Sequence, residues 1–114
     1  MIRYYDTNKP TTAENLRGGK GKAEVLHFLG PEETGGKCGL FNLISLLPGS
    51  SIGIHPHTED GEAYLVVEGE LVFTENGEEH LLHPGDISYT SFGDTHGMEN
   101  RSENNAKLLA VVFK

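Results

Sequence analysis

Three residues able to bind a metal ion, His55, His57 and Glu62, lie within eight positions of one another. They belong to the stretch GSSIGIHPHTEDGEAYLVVEG, which reads as two β-strands joined by the turn TEDG. Side chains two positions apart in a strand share a face, so the two histidines point the same way and Glu62 opens the next strand. Imidazoles and a carboxylate that converge can bind a divalent cation. The alternative at this point is a pair of exposed histidines beside a turn.

The same alternation predicts which neighbours accompany the histidines. Ser51 and Gly53 should share their face, whereas Ile52 and Ile54 should lie on the opposite one. Pro56 between the histidines lacks an N–H group and predicts a strand end or an edge strand.

The strands that must position these residues are short and evenly spaced. From Val25 onward, apolar runs rich in β-branched and aromatic residues alternate with turn sequences, and none shows a helical period. Asn76-Gly77 is a strong signal for a type I′ hairpin turn. The pattern predicts an all-β sandwich or barrel. The runs are VLHFL, GLFNLISLL, SIGIH, EAYLVVEG, ELVFT, EEHLLH, DISYTSF, HGMEN and AKLLAVVF.

A length of 114 residues fits one domain that buries a single core without needing a disulfide or a metal for folding. Residues 1–22 are polar and glycine-rich and predict an N-terminal arm, and residues 23–114 form the β-domain. Cys38 is the only cysteine, so no internal disulfide is possible.

Charge and hydropathy predict which partners are absent. The net charge of −8 and the pI near 5.1 disfavour binding to a phosphate backbone. The first residues lack the apolar core of a signal peptide, and no run is long enough to span a membrane. We therefore expect a soluble, cytoplasmic protein that binds neither nucleic acid nor membranes.

The histidine stretch resembles the first motif of the cupin superfamily, G-x5-H-x-H-x4-E-x6-G. Its five fixed positions are occupied by Gly49, His55, His57, Glu62 and Gly69.

A second cupin motif, G-x5-P-x-G-x2-H-x3-N, follows after a short spacer. Gly85, Gly93, His96 and Asn100 stand at its intervals, but Ser91 replaces the usual proline. That proline shapes a loop and is not a ligand, so the difference concerns geometry more than chemistry. The resemblance covers about residues 40–113.

The resemblance implies a double-stranded β-helix, or jelly-roll barrel, with one divalent transition metal per chain inside one end. It implies four ligands: His55, His57, Glu62 and His96. Nitrogen and hard oxygen ligands suit Mn, Fe, Co, Ni or Zn. Four protein ligands on an octahedral ion leave two positions for water, dioxygen or a small chelating anion.

Two classes of function remain open at this stage, and a third, a structural cupin with an idle metal site, is disfavoured because all four ligand positions are intact. In the first, the protein acts on a small organic, anionic molecule as a dioxygenase, decarboxylase or isomerase. In the second, it binds or senses such a ligand without turnover. Fold alone does not separate them, because one fold hosts many activities. The three arginines, Arg3, Arg17 and Arg101, all lie outside the predicted barrel strands, so we expect no guanidinium clamp for a substrate.

Most of the other polar candidates are predicted to have no role in the metal site. We expect His27, His80 and His83 to be structural or solvated, and Glu59 and Asp60 to be solvated turn residues.

The apolar candidates should fill the barrel. Tyr64 lies two residues after Glu62 and could face the metal, but core packing is the preferred interpretation. Met98 should form an apolar wall. Three phenylalanines should also fill the interior: Phe41, Phe73 and Phe113.

The resemblance also implies a homodimer. Ile2, Tyr4 and Tyr5 stand out on the otherwise polar arm, and we expect them to dock on a partner's sheet edge.

Overall fold

The structure, a computed structural model, describes all 114 residues and contains ten strands. The strands are β1 Thr11–Glu14, β2 Lys22–Leu29, β3 Cys38–Leu46, β4 Ser51–Pro56, β5 Gly61–Glu68, β6 Leu71–Glu75, β7 Glu78–Leu82, β8 Ile87–Thr90, β9 Thr95–Glu99 and β10 Ala106–Phe113. Two 3-10 turns cover Tyr5–Thr7 and Leu16–Gly18, and a single-turn helix, α1, covers Pro31–Thr34.

The strands form two antiparallel sheets. The large sheet has the order β1-β2-β3-β10-β5-β8, and the small sheet has the order β4-β9-β6-β7. Successive strands β3, β4 and β5 alternate between the sheets, so the chain winds around a common interior. This confirms the predicted all-β jelly-roll barrel.

The core lies between the sheets and follows the two-residue period of the strands. In β10, Ala106, Leu108, Ala110 and Val112 are buried, and the residues between them are more exposed. A contiguous cluster of twelve buried side chains includes members from both sheets. At one end of the barrel, buried polar side chains take the place of these apolar ones.

The Asn76-Gly77 hairpin is confirmed. Both residues have positive φ, 48° and 83°, as a type I′ turn requires, and they form the entire connection between β6 and β7. The turn sets the register that pairs Glu75 with Glu78.

The predicted alternation in β4 is wrong at one point. The pairing of β4 with β9 is irregular, because Ile52 pairs with Met98 and His55 with His96. Between these two pairs β4 contains two residues and β9 contains one. This bulge places Ile52, 4% exposed, on the same side as the buried His55 and leaves Ile54 exposed. The interior thus gains an apolar residue beside the histidines.

Two of the three phenylalanines predicted to fill the barrel lie outside it. Phe73 is in the core, but Phe113 is 50% exposed beside Tyr89, and Phe41 packs edge-on against Phe28. In each outer case the neighbouring residues along the strand point inward, so the alternation directs the aromatic ring outward.

Residues 11–14, within the predicted arm, form strand β1, which the sequence analysis missed. β1 pairs with β2, from Thr11 opposite Val25 to Glu14 opposite Lys22, and so extends the large sheet. The turn Leu16–Gly18 then packs on β4. No helix in the structure combines the length and the apolar character needed to cross a membrane.

Candidate metal centre

Four side chains meet between the sheets at one end of the barrel. His55 lies on β4, and His57 directly follows the end of that strand. His96 lies on β9 and Glu62 lies on β5. All four residues are buried, and their potential ligand atoms lie within 4.8 Å of one another. The sequence pattern therefore identified residues that the fold does bring together.

The separations between the ligand atoms are those of neighbours around one ion. His57 Nε2 lies 2.9 Å from His96 Nε2, and each lies 3.0 Å from Glu62 Oε1. His55 Nε2 is 3.1 Å from His96 Nε2 and 3.8 Å from Glu62 Oε1. Atoms at about 2.1 Å from a metal and at right angles to each other are about 3.0 Å apart. The buried group fits a single metal ion.

Hydrogen bonds on the far side of two rings direct their lone pairs into the centre. His55 Nδ1 is 2.7 Å from the carbonyl oxygen of Gly53, and His57 Nδ1 is 2.6 Å from Asp60 Oδ1. Both oxygens accept, so both Nδ1 atoms donate, and in the neutral rings the Nε2 atoms carry lone pairs. Two lone pairs and a carboxylate oxygen thus face one point, an arrangement that a cation stabilises.

His96 is held by packing instead. Its ring is fully buried and stacks on Tyr64, with centroids 4.6 Å apart and planes 6° apart, and its Nδ1 has no hydrogen-bond partner. Burial lowers the pKa of His96, with Glu62 opposing the shift. The imidazole is therefore favoured in the neutral form that a metal requires.

Glu62 is held as a carboxylate. Burial by itself raises its pKa, but the hydrogen bonds with His55 and His96 and the electrostatic influence of His96 and His57 outweigh burial and lower the pKa to about 2. Glu62 also influences Tyr64, whose pKa is raised well above its usual value, first by burial and then by the Glu62 charge. The tyrosine stays protonated beside a charged ligand atom.

Asp60 was predicted to be a solvated turn residue, but the structure places it against His57. Its side chain is only 18% exposed; Oδ1 accepts from His57, and Oδ2 lies 3.2 Å from Lys114 Nζ. The hydrogen bond from His57 is the main cause of its lowered pKa. The spacing His-x-x-Asp was a usable signal, since it lets the carboxylate turn back onto the ring and fix its orientation.

The loop that contains Ser91 holds the backbone of His57. Gly93 N donates to His57 O at 2.7 Å, and His57 N donates to Asp94 O at 3.0 Å. Asp94 N in turn bonds Ser91 O at 3.1 Å, so the turn forms with serine in place of the usual proline.

The remaining motif residues shape the chain around the site. Gly49, Gly69, Gly85 and Gly93 all have positive φ, the backbone region that favours glycine. The fully buried Asn100 donates through Nδ2 to the carbonyls of Leu46 and Asn104. These residues position strands and loops, and none of them contributes a ligand atom to the metal-binding group.

The other three histidines stay away from the centre. His27 is 54% exposed and bonds Asn42, while His80 and His83 are 49% and 56% exposed beside surface carboxylates.

A cavity of about 460 Å³ opens onto the group. His55, His57, Glu62 and Tyr64 line it, and apolar residues from both sheets form much of the rest. Arg17 lines it as well, so a guanidinium lies at the cavity wall although no arginine belongs to a barrel strand. The sequence pattern could not predict this position, because Arg17 lies outside the barrel strands and the packing of the 16–18 turn on β4 is a tertiary contact.

Comparisons with known proteins agree with this geometry. Residues 42–112 match the family model of the cupin domain. A curated relative, the oxalate-binding protein of Thermotoga maritima, is 39% identical over 103 residues, which is 90% of this chain and 85% of the relative.

Solved structures share the fold. A crystal structure of a predicted oxalate decarboxylase from Thermotoga maritima superimposes with a TM-score of 0.95 at 36% identity, covering 99% of this chain and 98% of that chain. A cupin-superfamily sugar phosphate isomerase from Silicibacter pomeroyi has a TM-score of 0.77 at 24% identity, covering 100% and 76%. The second likeness shows the fold alone.

Proposed function

The chain belongs to the cupin family, and from that premise we propose that it binds a small dicarboxylate anion, of which oxalate is the test ligand, at a single divalent metal ion. The proposed ligands of the ion are His55, His57, Glu62 and His96.

The observation that supports a bound metal ion is the convergence of donor atoms. The Nε2 atoms of His55, His57 and His96 and one carboxylate oxygen of Glu62 face a common point at separations of 2.9–3.8 Å. Three imidazoles and one carboxylate suit Mn²⁺, Fe²⁺, Co²⁺, Ni²⁺ or Zn²⁺. When bound, such an ion supplies a Lewis-acidic positive centre with positions open to a ligand.

Three observations support a small anion as the ligand. A divalent ion held by one carboxylate and three neutral rings retains one positive charge. The cavity beside it, about 460 Å³, suits a small molecule. The 39%-identical relative is named for oxalate binding, and oxalate is a dianion that chelates metals.

Decarboxylation of the same anion is a second candidate. Glu59 favours it, because this residue lines the cavity and its carboxyl group has no hydrogen bond or ion pair that would occupy it. A carboxyl group beside a bound substrate can exchange a proton with it. The solved structure at 36% identity carries the name of a predicted oxalate decarboxylase.

One experiment separates these functions. The protein is purified without chelators or nickel resin, its metal is identified by elemental analysis, and oxalate is titrated into it by calorimetry. We expect about one metal per chain and one oxalate per metal. Formate released from oxalate, followed by NMR, would establish turnover, whereas binding without formate would leave a binding protein. A loaded protein that takes no oxalate would contradict the proposal.

We further propose a homodimer in the cytoplasm. The outer face of the large sheet supports dimerisation, because Val67, Ile87, Tyr89 and Phe113 are 41–66% exposed there. Exposed apolar patches of this kind mark interaction surfaces. The single free Cys38 is consistent with a reducing compartment.

A further inference from the structure

Arg17 is the one cationic residue of the cavity wall without a partner in the chain. The other, Lys114, lies 3.2 Å from Asp60 Oδ2 and is neutralised by it. The Arg17 side chain forms no hydrogen bond and no ion pair, although the protein carries 17 acidic residues. Its charge acts on Tyr64, where it opposes the rise in pKa that is caused first by burial. The guanidinium is thus near the residues that surround the metal-binding group.

The turn that presents Arg17 is held in a strained conformation. Asn15 and Arg17 both have φ of 53°, in the left-handed region that residues other than glycine rarely adopt. Such conformations persist only where the surrounding structure enforces them, and they concentrate at functional sites.

The surrounding structure enforces this one through close backbone packing. A side chain at Gly53 would overlap the Arg17 carbonyl oxygen, and one at Gly19 would overlap the Ser51 carbonyl oxygen. Ser51 N donates to Lys20 O at 2.8 Å, and Lys20 N donates to Ser51 Oγ at 2.9 Å. The turn is therefore fixed to the strand that leads directly to His55.

We propose that Arg17 binds the outer carboxylate oxygens of the dicarboxylate and so determines the specificity of the site. This inference rests on the proposed function. The planar guanidinium fork donates two parallel hydrogen bonds, which suits the pair of outer oxygens that a chelated dicarboxylate presents, and a lysine would offer only a point charge.

The charges nearest the proposed ligand favour an anion. The divalent ion and Glu62 leave one positive charge, and Arg17 adds a second, while Glu59 on the cavity wall adds one negative charge. Four apolar residues line the same cavity, and an apolar wall lowers the local dielectric and so strengthens the attraction between opposite charges; they are Leu16, Leu40, Ile44 and Ile52.

The test is calorimetric titration of oxalate into manganese-loaded protein, with the metal content measured for each variant. Arg17→Gln should raise the Kd for oxalate at least tenfold with the metal content unchanged. Arg17→Lys should raise it by a smaller factor, since it keeps the charge and loses the fork. Lys20→Met, which removes a charge from the same segment outside the cavity, should leave the Kd within twofold.

Arg17→Gly separates lost binding from lost folding. Glycine relieves the left-handed backbone, so its Tm should equal or exceed that of the wild type while oxalate affinity falls as in Arg17→Gln. A wild type that binds oxalate, with Arg17→Gln binding equally well, would overturn the inference alone. Equal losses in Lys20→Met and Arg17→Gln would also overturn it. A loaded wild type that does not bind oxalate would overturn both this inference and the proposed function.

Discussion

At the scale of single residues, the proposed metal site depends most on His55 and His57. Each ring is aimed by a hydrogen bond on its Nδ1 side, so that Nε2 faces Glu62 and His96. Replacing either ring removes a donor and leaves the others too few to hold an ion firmly.

We therefore predict that His55→Ala and His57→Ala each lose most of the bound metal, measured by elemental analysis after dialysis. The matched control is the double variant His80→Ala/His83→Ala, which removes two exposed histidines and should keep the wild-type stoichiometry. Full metal content in a His55→Ala/His57→Ala protein, or a loss of more than half in the control, would show the site to lie elsewhere.

Asp60 gives a second prediction at this scale, because it orients His57 without being a ligand. Asp60→Asn keeps the size of the side chain but replaces the carboxylate that accepts from Nδ1. We expect metal affinity to fall by ~10- to 100-fold, as when other such partners of ligating histidines are replaced, with little change in the urea unfolding midpoint. Competition with a metal-binding dye measures the affinity.

Asp86→Asn is the matched control for Asp60→Asn. Asp86 also stands three residues after a histidine, His83, but it lies on the surface, and the metal affinity of this variant should stay at the wild-type value. Equal affinities for the Asp60 and Asp86 variants would contradict the role of Asp60.

At the scale of elements, the bulge in β4 and the turn over it form one unit. The extra residue between the Ile52 and His55 pairs lets both side chains enter the interior, and Gly53 gives the Leu16–Gly18 turn room to approach. The turn then presents Arg17 to the cavity beside Leu16, which packs against the core.

Gly53→Ala should push the Leu16–Gly18 turn away from the bulge in β4. Its methyl group overlaps the backbone of the turn, so we expect a loss of about 1–3 kcal/mol in the free energy of unfolding, typical of overpacking, together with weaker oxalate binding. Gly30→Ala is the control, because Gly30 is also extended and its nearest neighbour, at 3.3 Å, is the movable His27 ring. Urea unfolding of both variants checks the expectation, and equal losses would contradict it.

At the scale of the whole molecule, the outer face of the large sheet exposes several large apolar side chains. Ile87 and Tyr89 on the edge strand β8 are 66% and 56% exposed, and the arm residues Ile2, Tyr4 and Tyr5 are 66–76% exposed. A second copy of the chain would bury both regions.

We predict a homodimer by light scattering at tens of micromolar. Deletion of residues 1–8 should shift it toward monomer while the metal stays bound, since the metal-binding group lies inside the barrel. Ile87→Glu should weaken the dimer through the sheet face. A monomeric wild type would contradict the dimer, and a dimer unaffected by the deletion would contradict only the role of the arm.

The sequence by itself determined nine of the ten strands, all except β1, and the residues that meet at the centre. All nine apolar runs became strands, because alternation, β-branched residues and glycine turns are local signals that the backbone obeys locally. The motif spacing identified four residues that the fold brings together, although metal binding itself stays a proposal. The Asn76-Gly77 turn was predictable for the same reason, since positive φ at two successive residues is a property of the residues themselves.

Only the tertiary structure decided what depends on contacts between distant segments. The bulge in β4 follows from pairing with β9, and so it reversed the predicted face of Ile52. Phe41 and Phe113 lie outside because hydrophobicity does not specify which face of a sheet encloses the core. The placement of Arg17 at the cavity requires the 16–18 turn to pack on a strand more than thirty residues later, a contact that no local pattern records.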